Sequence, residues 1–198
     1  MSQQDGLPVG SVHDAAQRAA DIIDVLLPRP GSRDEIARLA SSGALDERAR
    51  LTALLRAYGE SGPIEISAAD LAELRREAVG LREVFAATDV ASAADRINEL
   101  LAGRAHPPRL TSHGGESGWH LHVDSRDDAP WAEWFLTSSC LALAVLLAER
   151  QAPPAGLCGS PSCGKPFVNV GRGASRRYCS VTCGTRERVA AHRHGPPA

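Results

Sequence analysis

The sequence predicts a mainly helical α+β protein, in which a helical N-terminal domain with a small β-hairpin precedes a small cysteine-rich module. Three observations predict this architecture. Apolar residues recur with the period of an α-helix through about the first hundred of the 198 residues. A short alternating segment follows near residues 109–124. Four of the five cysteines then fall within 26 residues near the C-terminus.

The earliest helices are predicted from capping residues and apolar periodicity. Ser11 stands at the start of a first helix, which the proline-containing segment 28–30 ends. Ser32 and Glu35 have the spacing of a capping box for a short second helix, because each side chain can accept from an unpaired backbone N–H. A further helix over about residues 51–58 is expected to end at Gly59.

A longer helix is predicted to begin at Ser67, whose hydroxyl can cap its first turn. Its apolar positions form one stripe, as in a helix that packs one face on a core; they are Leu71, Leu74, Leu81, Val84 and Phe85. The helical half of the chain ends with a group of apolar residues at Ile97, Leu100 and Leu101.

Residues 109–124 are predicted to form the hairpin, around a glycine-rich loop at 114–118. The apolar residues Trp119, Leu121 and Val123 alternate with polar ones, so we expect them on the buried face. His120 and His122 would then lie on the solvent face. A helix from about Pro130 to Arg150 follows and is apolar almost all round, which predicts the central buried helix.

Composition excludes several classes of protein. Hydrophobic residues make up 43% and charged residues 23% of the chain, values typical of soluble globular proteins. The longest apolar run, 141–147, is shorter than a bilayer span, and the N-terminus lacks the features of a signal peptide. We therefore expect a cytoplasmic protein with no membrane partner.

The sequence also lacks the common catalytic motifs. We find no Ser/His/Asp order, phosphate-binding glycine loop or carboxylate pair, and expect no enzymatic activity.

The predicted division of the chain follows these patterns. A flexible N-terminus covers residues 1–10 and the helical domain covers 11–150, including the hairpin near 109–124. A short proline-containing linker leads into the cysteine module at 157–194, and residues 195–198 form a flexible tail.

The cysteine module has the spacing of a zinc site. Two close pairs of cysteines, separated by 15 residues, can place four thiolates around one Zn²⁺; they are Cys158, Cys163, Cys179 and Cys183. The last two lie where a helix is expected to begin, and the module as a whole suggests a treble-clef-like finger. Four thiolates leave no open coordination position, so the zinc would be structural. The module has too few large apolar residues to fold without it.

The same module is strongly basic. Residues 156–198 contain seven cations and one acid, for a net charge of +6, whereas the rest of the chain, with 15 cations and 23 acids, carries −8. Such asymmetry favours contact with DNA, or with RNA, through the basic end. The candidate contacts are Arg172, Arg176, Arg177, Arg186, Arg188 and Arg193. The alternatives are a protein–protein adaptor that binds an acidic partner, or a basic surface that faces only solvent or the protein's own acidic part.

Other residues suggest weaker sites. His120 and His122 can bind a metal together with His113 or Asp124, although a hairpin face exposed to solvent explains the pair equally well. Cys140 is expected to be a small core residue. The three tryptophans, Trp119, Trp131 and Trp134, either belong to the core or line a pocket for a small-molecule effector. The sequence leaves open whether the chain forms homo-oligomers.

Several motifs of the cysteine module occur in the order seen in a known family. Cys158-x4-Cys163-x3-Phe167 is followed by Arg176-Arg177-Tyr178-Cys179-Ser180 and by Cys183-Gly184-Thr185-Arg186. This segment resembles the CGNR zinc finger, with Thr185 in place of the Asn that names the motif and Asn169 where an Asp is usual. The resemblance implies that the N-terminal part is an ABATE-like domain and that the chain is a bacterial, stress-induced transcription regulator.

Overall fold

A computed structural model describes residues 9–27, 47–60, 62–115, 117–169 and 175–193 of the chain. Within these ranges there are six α-helices and two small β-hairpins. The helices are α1 (Val9–Leu26), α2 (residues 47–57), α3 (Ala68–Ala86), α4 (Val90–Ala102), α5 (Trp131–Arg150) and α6 (Val181–Arg193). The strands are β1 (Arg109–Thr111), β2 (His120–His122), β3 (Ala155–Leu157) and β4 (Pro166–Val168). The predicted fold class is confirmed.

Helix α5 lies at the centre of the helical body, which we define as α1–α5 with the β1–β2 hairpin. It packs against α1, α3 and α4, and its side chains are buried on several sides, including Phe135, Leu143 and Cys140. By length and composition alone α5 would suffice to cross a membrane, yet half of its apolar window is buried inside the protein. This packing is that of a core helix, as its nearly uniform apolar sequence predicts.

The capping residues predicted from the sequence hold at α3 but not at α1. Ser67 and Asp70 form a reciprocal capping box at the start of α3, in which the Ser67 hydroxyl accepts from the Asp70 N–H at 3.1 Å. The apolar stripe of α3 is buried, as expected. Helix α1, however, begins at Val9, two residues before the predicted cap. The short helix predicted from Ser32 and Glu35 lies outside the described residues, as do most of the predicted flexible ends.

The β1–β2 hairpin pairs in the predicted place but shows the opposite face to solvent. Leu110 pairs with Leu121, and both are exposed, as is Trp119 at 72% of its surface. The polar face, which carries Thr111 and Asp124, turns inward instead. The expectation that Trp119 and Leu121 are buried is therefore wrong; only Val123 is buried as predicted.

Hydrogen bonds explain why the polar face of this hairpin tolerates burial. The Arg109 guanidinium donates to the Asp124 carboxylate at 2.6 Å and is also paired with Asp127. Asp127 accepts in turn from the Thr111 hydroxyl at 2.9 Å. Buried polar groups cost little free energy once they are paired in this way. Alternation in the sequence cannot reveal such pairing, which joins β1 to the segment that follows β2.

The second hairpin attaches the C-terminal module to the helical body. Strands β3 and β4 are antiparallel and pack on α1 and α3, and Ala155 and Val168 belong to the main hydrophobic core. The Lys165 ammonium lies 3.5 Å from the carboxylate of Asp21 and 3.8 Å from that of Asp24, both on α1. The module is thus packed on the body through its strands, although the division at residues 150–157 itself stays a prediction.

Candidate zinc centre and its basic surface

The four predicted ligands lie in two local structures. Cys158 and Cys163 occupy the turn that joins β3 to β4, where the Cys158 N–H donates to the Lys165 carbonyl at 2.9 Å. Cys179 precedes α6, and Cys183 lies in its first turn, where its N–H donates to the Ser180 hydroxyl at 3.2 Å. We call residues 155–193 the finger: a turn, a hairpin and a helix that bring four sulfur atoms together.

The geometry of the four thiols fits one zinc ion. Their sulfur atoms all lie within 4.8 Å of one another. Cys179 Sγ is 3.7 Å from both Cys163 Sγ and Cys183 Sγ. A tetrahedral site with Zn–S bonds of about 2.3 Å has edges of about 3.8 Å between sulfur atoms, whereas a disulfide needs about 2.05 Å. The four cysteines therefore fit a single structural zinc site.

The four thiols also shift one another's pKa values. Burial, with hydrogen bonds to the three neighbouring thiols, raises the pKa of Cys179 to about 12. Burial likewise raises the pKa of Cys163, whereas the hydrogen bond from Ser180 lowers that of Cys183. If the thiols lost their protons without a metal, the four negative charges would repel one another. A divalent metal ion offsets this repulsion when it takes the place of the protons.

Close packing around the cysteines involves two aromatic rings and several glycines. Phe167 is buried beside Cys158, Cys163 and Cys183, and Tyr178 packs on the same cluster. A Cβ at Gly156 would lie 2.8 Å from the Phe167 ring, so a larger residue cannot be placed there without movement. Gly164 has a φ of 59°, the freedom expected of a glycine in a metal-binding turn. Gly159 serves instead by making room for the Arg177 backbone oxygen.

Three of the candidate arginines lie on α6. Arg186, Arg188 and Arg193 are all exposed on this helix. The Arg186 guanidinium donates to the Ser162 hydroxyl at 3.1 Å, and that of Arg188 donates to the Thr185 hydroxyl at 3.1 Å. Both are contacts of exposed groups, so a stronger acceptor can replace them.

The remaining candidates are placed differently. The Arg176 guanidinium donates to the Val168 carbonyl at 2.6 Å and lies over the Phe167 ring, 5.0 Å from its centroid. Arg176 is nevertheless exposed, so its role as a nucleic-acid contact stays a prediction. Arg177 lies over the Tyr178 ring at 5.5 Å. Arg172 lies outside the described residues.

Asn169 has a role that sequence reasoning missed. Its amide nitrogen lies 3.1 Å from the Pro153 carbonyl and 3.3 Å from that of Ala155, and donates to both. Its side-chain oxygen accepts from the Arg176 N–H at 3.2 Å. A carboxylate cannot donate, so this residue suits the site as an amide. The one sign of this role in the sequence was that Asn169 stands where the CGNR finger usually has an Asp.

A second cluster lies on the inward face of the first hairpin. His113, His120 and His122 each offer a ring nitrogen within 4.8 Å of the others. Burial lowers the pKa of His122, against the opposing effect of its hydrogen bond to Asp124. The structure thus brings together the histidines that the sequence suggested, on a face that is partly buried rather than fully open.

Of the remaining candidates, Cys140 lies in the core, Trp131 and Trp134 pack at its edge, and Trp119 does not belong to it. Cys140 is completely buried, and burial raises the pKa of its thiol to about 12, so it is unreactive at neutral pH. Trp131 and Trp134 contact each other edge to face at 5.6 Å between centroids and pack partly on the core. Trp119 is exposed, so the three tryptophans do not form one buried group.

The fold and the site together define a structural zinc finger packed on a helical body. The family model of the CGNR zinc finger matches residues 155–194, which include all four cysteines. No curated protein matches this chain in sequence.

Proposed function

We propose that the protein binds DNA through the exposed face of α6 and acts as a transcription regulator. The observation that carries this proposal is the arrangement of α6, which combines a face fixed at the zinc site with an exposed face that bears three arginines. Among the residues of α6, all of them described, Cys183 is the one buried side chain.

The acidic residue of α6 is turned away from this exposed face. The Glu187 carboxylate accepts from the Ser160 hydroxyl at 2.6 Å, beside the cysteine turn. Arg186 and Arg193 are seven residues apart, so they share one side of the helix. Arg188 and Thr185 extend the face around the helix, and Val181, exposed at 83%, adds an apolar group near its start. Arginine, threonine and valine together offer both phosphate and base contacts.

The dimensions and charge of this surface suit duplex DNA. An α-helix fits the major groove, where arginine can donate two hydrogen bonds to a guanine edge. Guanidinium groups also pair with phosphates in a bidentate manner. The body carries the negative charge of the protein, so the duplex would approach from the finger. RNA offers the same phosphates, but its deep and narrow major groove does not admit a helix.

The regulatory role rests on the resemblance to chains in which this finger follows an ABATE domain. We propose that the helical body takes the place of that domain, as a sensor or oligomerisation module, and that the protein works in the cytoplasm. Since the four thiolates complete the zinc shell, the finger serves for binding rather than catalysis.

The proposal predicts a defined change in the salt dependence of binding. Each phosphate neutralised contributes about −0.9 to the slope of log affinity against log salt. Arg188→Ala and Arg193→Ala should each weaken binding to a duplex and flatten that slope by roughly one unit if the residue contacts phosphate. If it reads a guanine instead, the loss of about 1–3 kcal/mol should be confined to the preferred sequence.

Fluorescence anisotropy with labelled duplexes across a salt series measures both quantities. Arg76→Ala, which removes an exposed arginine from α3, is the matched control and should leave the slope unchanged. The proposal fails if the double variant of Arg188 and Arg193 retains its zinc and binds the duplex with an unaltered slope.

A protein–protein adaptor is the second candidate. It is favoured by the exposed Val181 and Val189 on α6, of which 83% and 43% of the surface is accessible. Apolar groups on a helix face suit a protein partner as well as a thymine methyl group. In this case valine substitutions would abolish partner binding while DNA affinity stays low at every salt concentration.

A further inference from the structure

We propose that His113, His120 and His122 form a second metal site, which binds a divalent transition-metal ion such as Zn²⁺ through three imidazoles. The three rings lie on the inward face of the β1–β2 hairpin and in the adjoining 3-10 turn His113–Gly115. Their centroids are 4.9, 5.2 and 4.8 Å apart, so each ring contacts the other two. This site is separate from the four-cysteine centre in both residues and ligand chemistry.

Hydrogen bonds fix which nitrogen of two rings is free to bind a metal. His120 Nδ1 lies 2.7 Å from the Gly118 carbonyl oxygen. Since a carbonyl can only accept, Nδ1 carries the proton and Nε2 presents a lone pair. His122 Nδ1 donates in the same way to the Asp124 carboxylate at 2.8 Å. These are the outer contacts that usually orient histidine ligands, a backbone carbonyl for one ring and a carboxylate for the other.

The carboxylate beside His122 is itself held in place. Asp124 is 98% buried and accepts from Arg109, which also pairs with Asp127. The two carboxylates balance the charge of Arg109, so the guanidinium does not place an isolated positive charge beside the imidazoles. The ring of His113 lies next to the same network, with its Nδ1 3.8 Å from the Asp127 carboxylate.

The free nitrogens converge at distances near those of a metal site. His113 Nε2 and His120 Nε2 are 3.1 Å apart. Zn–N bonds of about 2.05 Å in a tetrahedron place ligand nitrogens about 3.3 Å from one another. All three rings offer a nitrogen within 4.8 Å, so the ligands need to close by about 1.5 Å at most. Lone pairs this close repel unless a proton or a metal ion lies between them.

The local backbone at His113 and the number of rings bear on how an ion would be held. The His113 φ of 49° is in the left-handed region, where Asn, Asp and His are enriched among residues other than Gly. Three imidazoles around a tetrahedral ion leave one position open, in contrast to the closed shell of the finger, so water or a small anion can complete the site.

The decisive experiment adds Co²⁺ to the full-length protein whose finger already holds zinc. We expect one Co²⁺ per chain to bind, with the absorption of a nitrogen and oxygen site and without the charge-transfer band of a thiolate. His113→Asn, which suits the left-handed backbone, and His120→Gln should each weaken this binding by more than about 100-fold, beyond the loss typical of an outer contact. Circular dichroism checks that both variants are folded.

His106→Asn is the matched control. The backbone N–H of His106 donates to the Val123 carbonyl beside the same hairpin, but His106 does not belong to the cluster. It should bind Co²⁺ as the unmodified protein does. The proposal is overturned if no second ion binds, if the bound ion shows a thiolate band, or if the two cluster variants bind as well as His106→Asn. If they misfold, X-ray absorption of the unmodified protein with a second zinc decides, since a nitrogen shell is expected and an all-sulfur spectrum contradicts the site.

Discussion

The helical body and the finger are stabilised by different means. The body buries a large apolar cluster in which α5 contacts α1, α3 and α4, with residues such as Phe135 and Leu143 fully buried. The finger has a separate small cluster of three buried cysteines and Phe167, with Tyr178 and Cys179 at its edge. We therefore expect apolar burial to stabilise the body without metal and the finger to depend on its metal cross-link.

The hydrophobic core of the body extends into the finger, since it includes residues of the finger's two strands. Ala155 and Val168, on β3 and β4, are part of the body's core, and the Arg150 guanidinium donates to the Asn169 carbonyl at 3.0 Å. Helix α6, with Cys183 as its buried residue, is fixed chiefly at the zinc site. We therefore expect the strands to remain on the body when the metal is removed, while α6 and the cysteine turn unfold.

The largest expected effect is that of zinc removal. Chelation, or Cys183→Ser, should unfold the 13-residue α6 and leave α1–α5 intact, because zinc contributes on the order of 10–16 kcal/mol of apparent binding free energy in small fingers. Hydrogen exchange read by mass spectrometry would show α6 losing protection while β3 and β4 keep theirs. Cys140→Ser, a change at a buried cysteine of the body, should keep both zinc and a protected α6. Collapse of all helical signal on chelation would mean that the body depends on the metal as well.

An intermediate effect is expected from a cavity in the body. Leu143→Ala removes a fully buried side chain of α5 and should lower the free energy of unfolding by about 2–5 kcal/mol. Zinc content measured below the transition should not change, because the finger's own cluster contains none of the atoms removed. Chemical denaturation followed by circular dichroism measures the first quantity, and elemental analysis the second. Loss of zinc in this variant would contradict the separate origins of stability.

The smallest of the three effects is expected at the boundary. Asn169→Asp should destabilise the protein by about 1–3 kcal/mol, because the buried carbonyl of Ala155 and the part-buried carbonyl of Pro153 lose their donor. Asn169→Ala, which removes both the donor and the acceptor, is the comparison that separates lost hydrogen bonds from an added charge. Thermal unfolding measures both variants, and each should retain its zinc. If Asn169→Asp left the melting temperature unchanged or raised it, the amide contacts of Asn169 would not stabilise the attachment of the finger to the body.

Prediction from the sequence succeeded where a local pattern carries the structure. The cap at Ser67, the buried stripe of α3 and the central position of α5 were predicted correctly, because each depends on residues three or four apart. The four cysteines were readable for a similar reason, since metal ligands impose a spacing. Pairing of β1 with β2 also followed from alternation and a glycine-rich loop.

Prediction failed where partners come from distant parts of the chain. The inward turn of the hairpin's polar face depends on Arg109, Asp124 and Asp127, which satisfy one another only in the folded state. The contacts of Arg176 inside the finger, with the Val168 carbonyl and the Phe167 ring, were likewise not predicted from the sequence.

Local patterns in the chain were enough to predict the elements of this protein: the helices from their apolar period, the finger from its cysteines, and the basic end from its arginines. Only the folded arrangement shows which side of each element faces solvent, which arginines are exposed on α6, and that three histidines meet on one face. The physical reason is the range of the interactions. Helix caps and metal spacing are encoded within a few residues, whereas burial, charge pairing and docking depend on groups that only folding brings together.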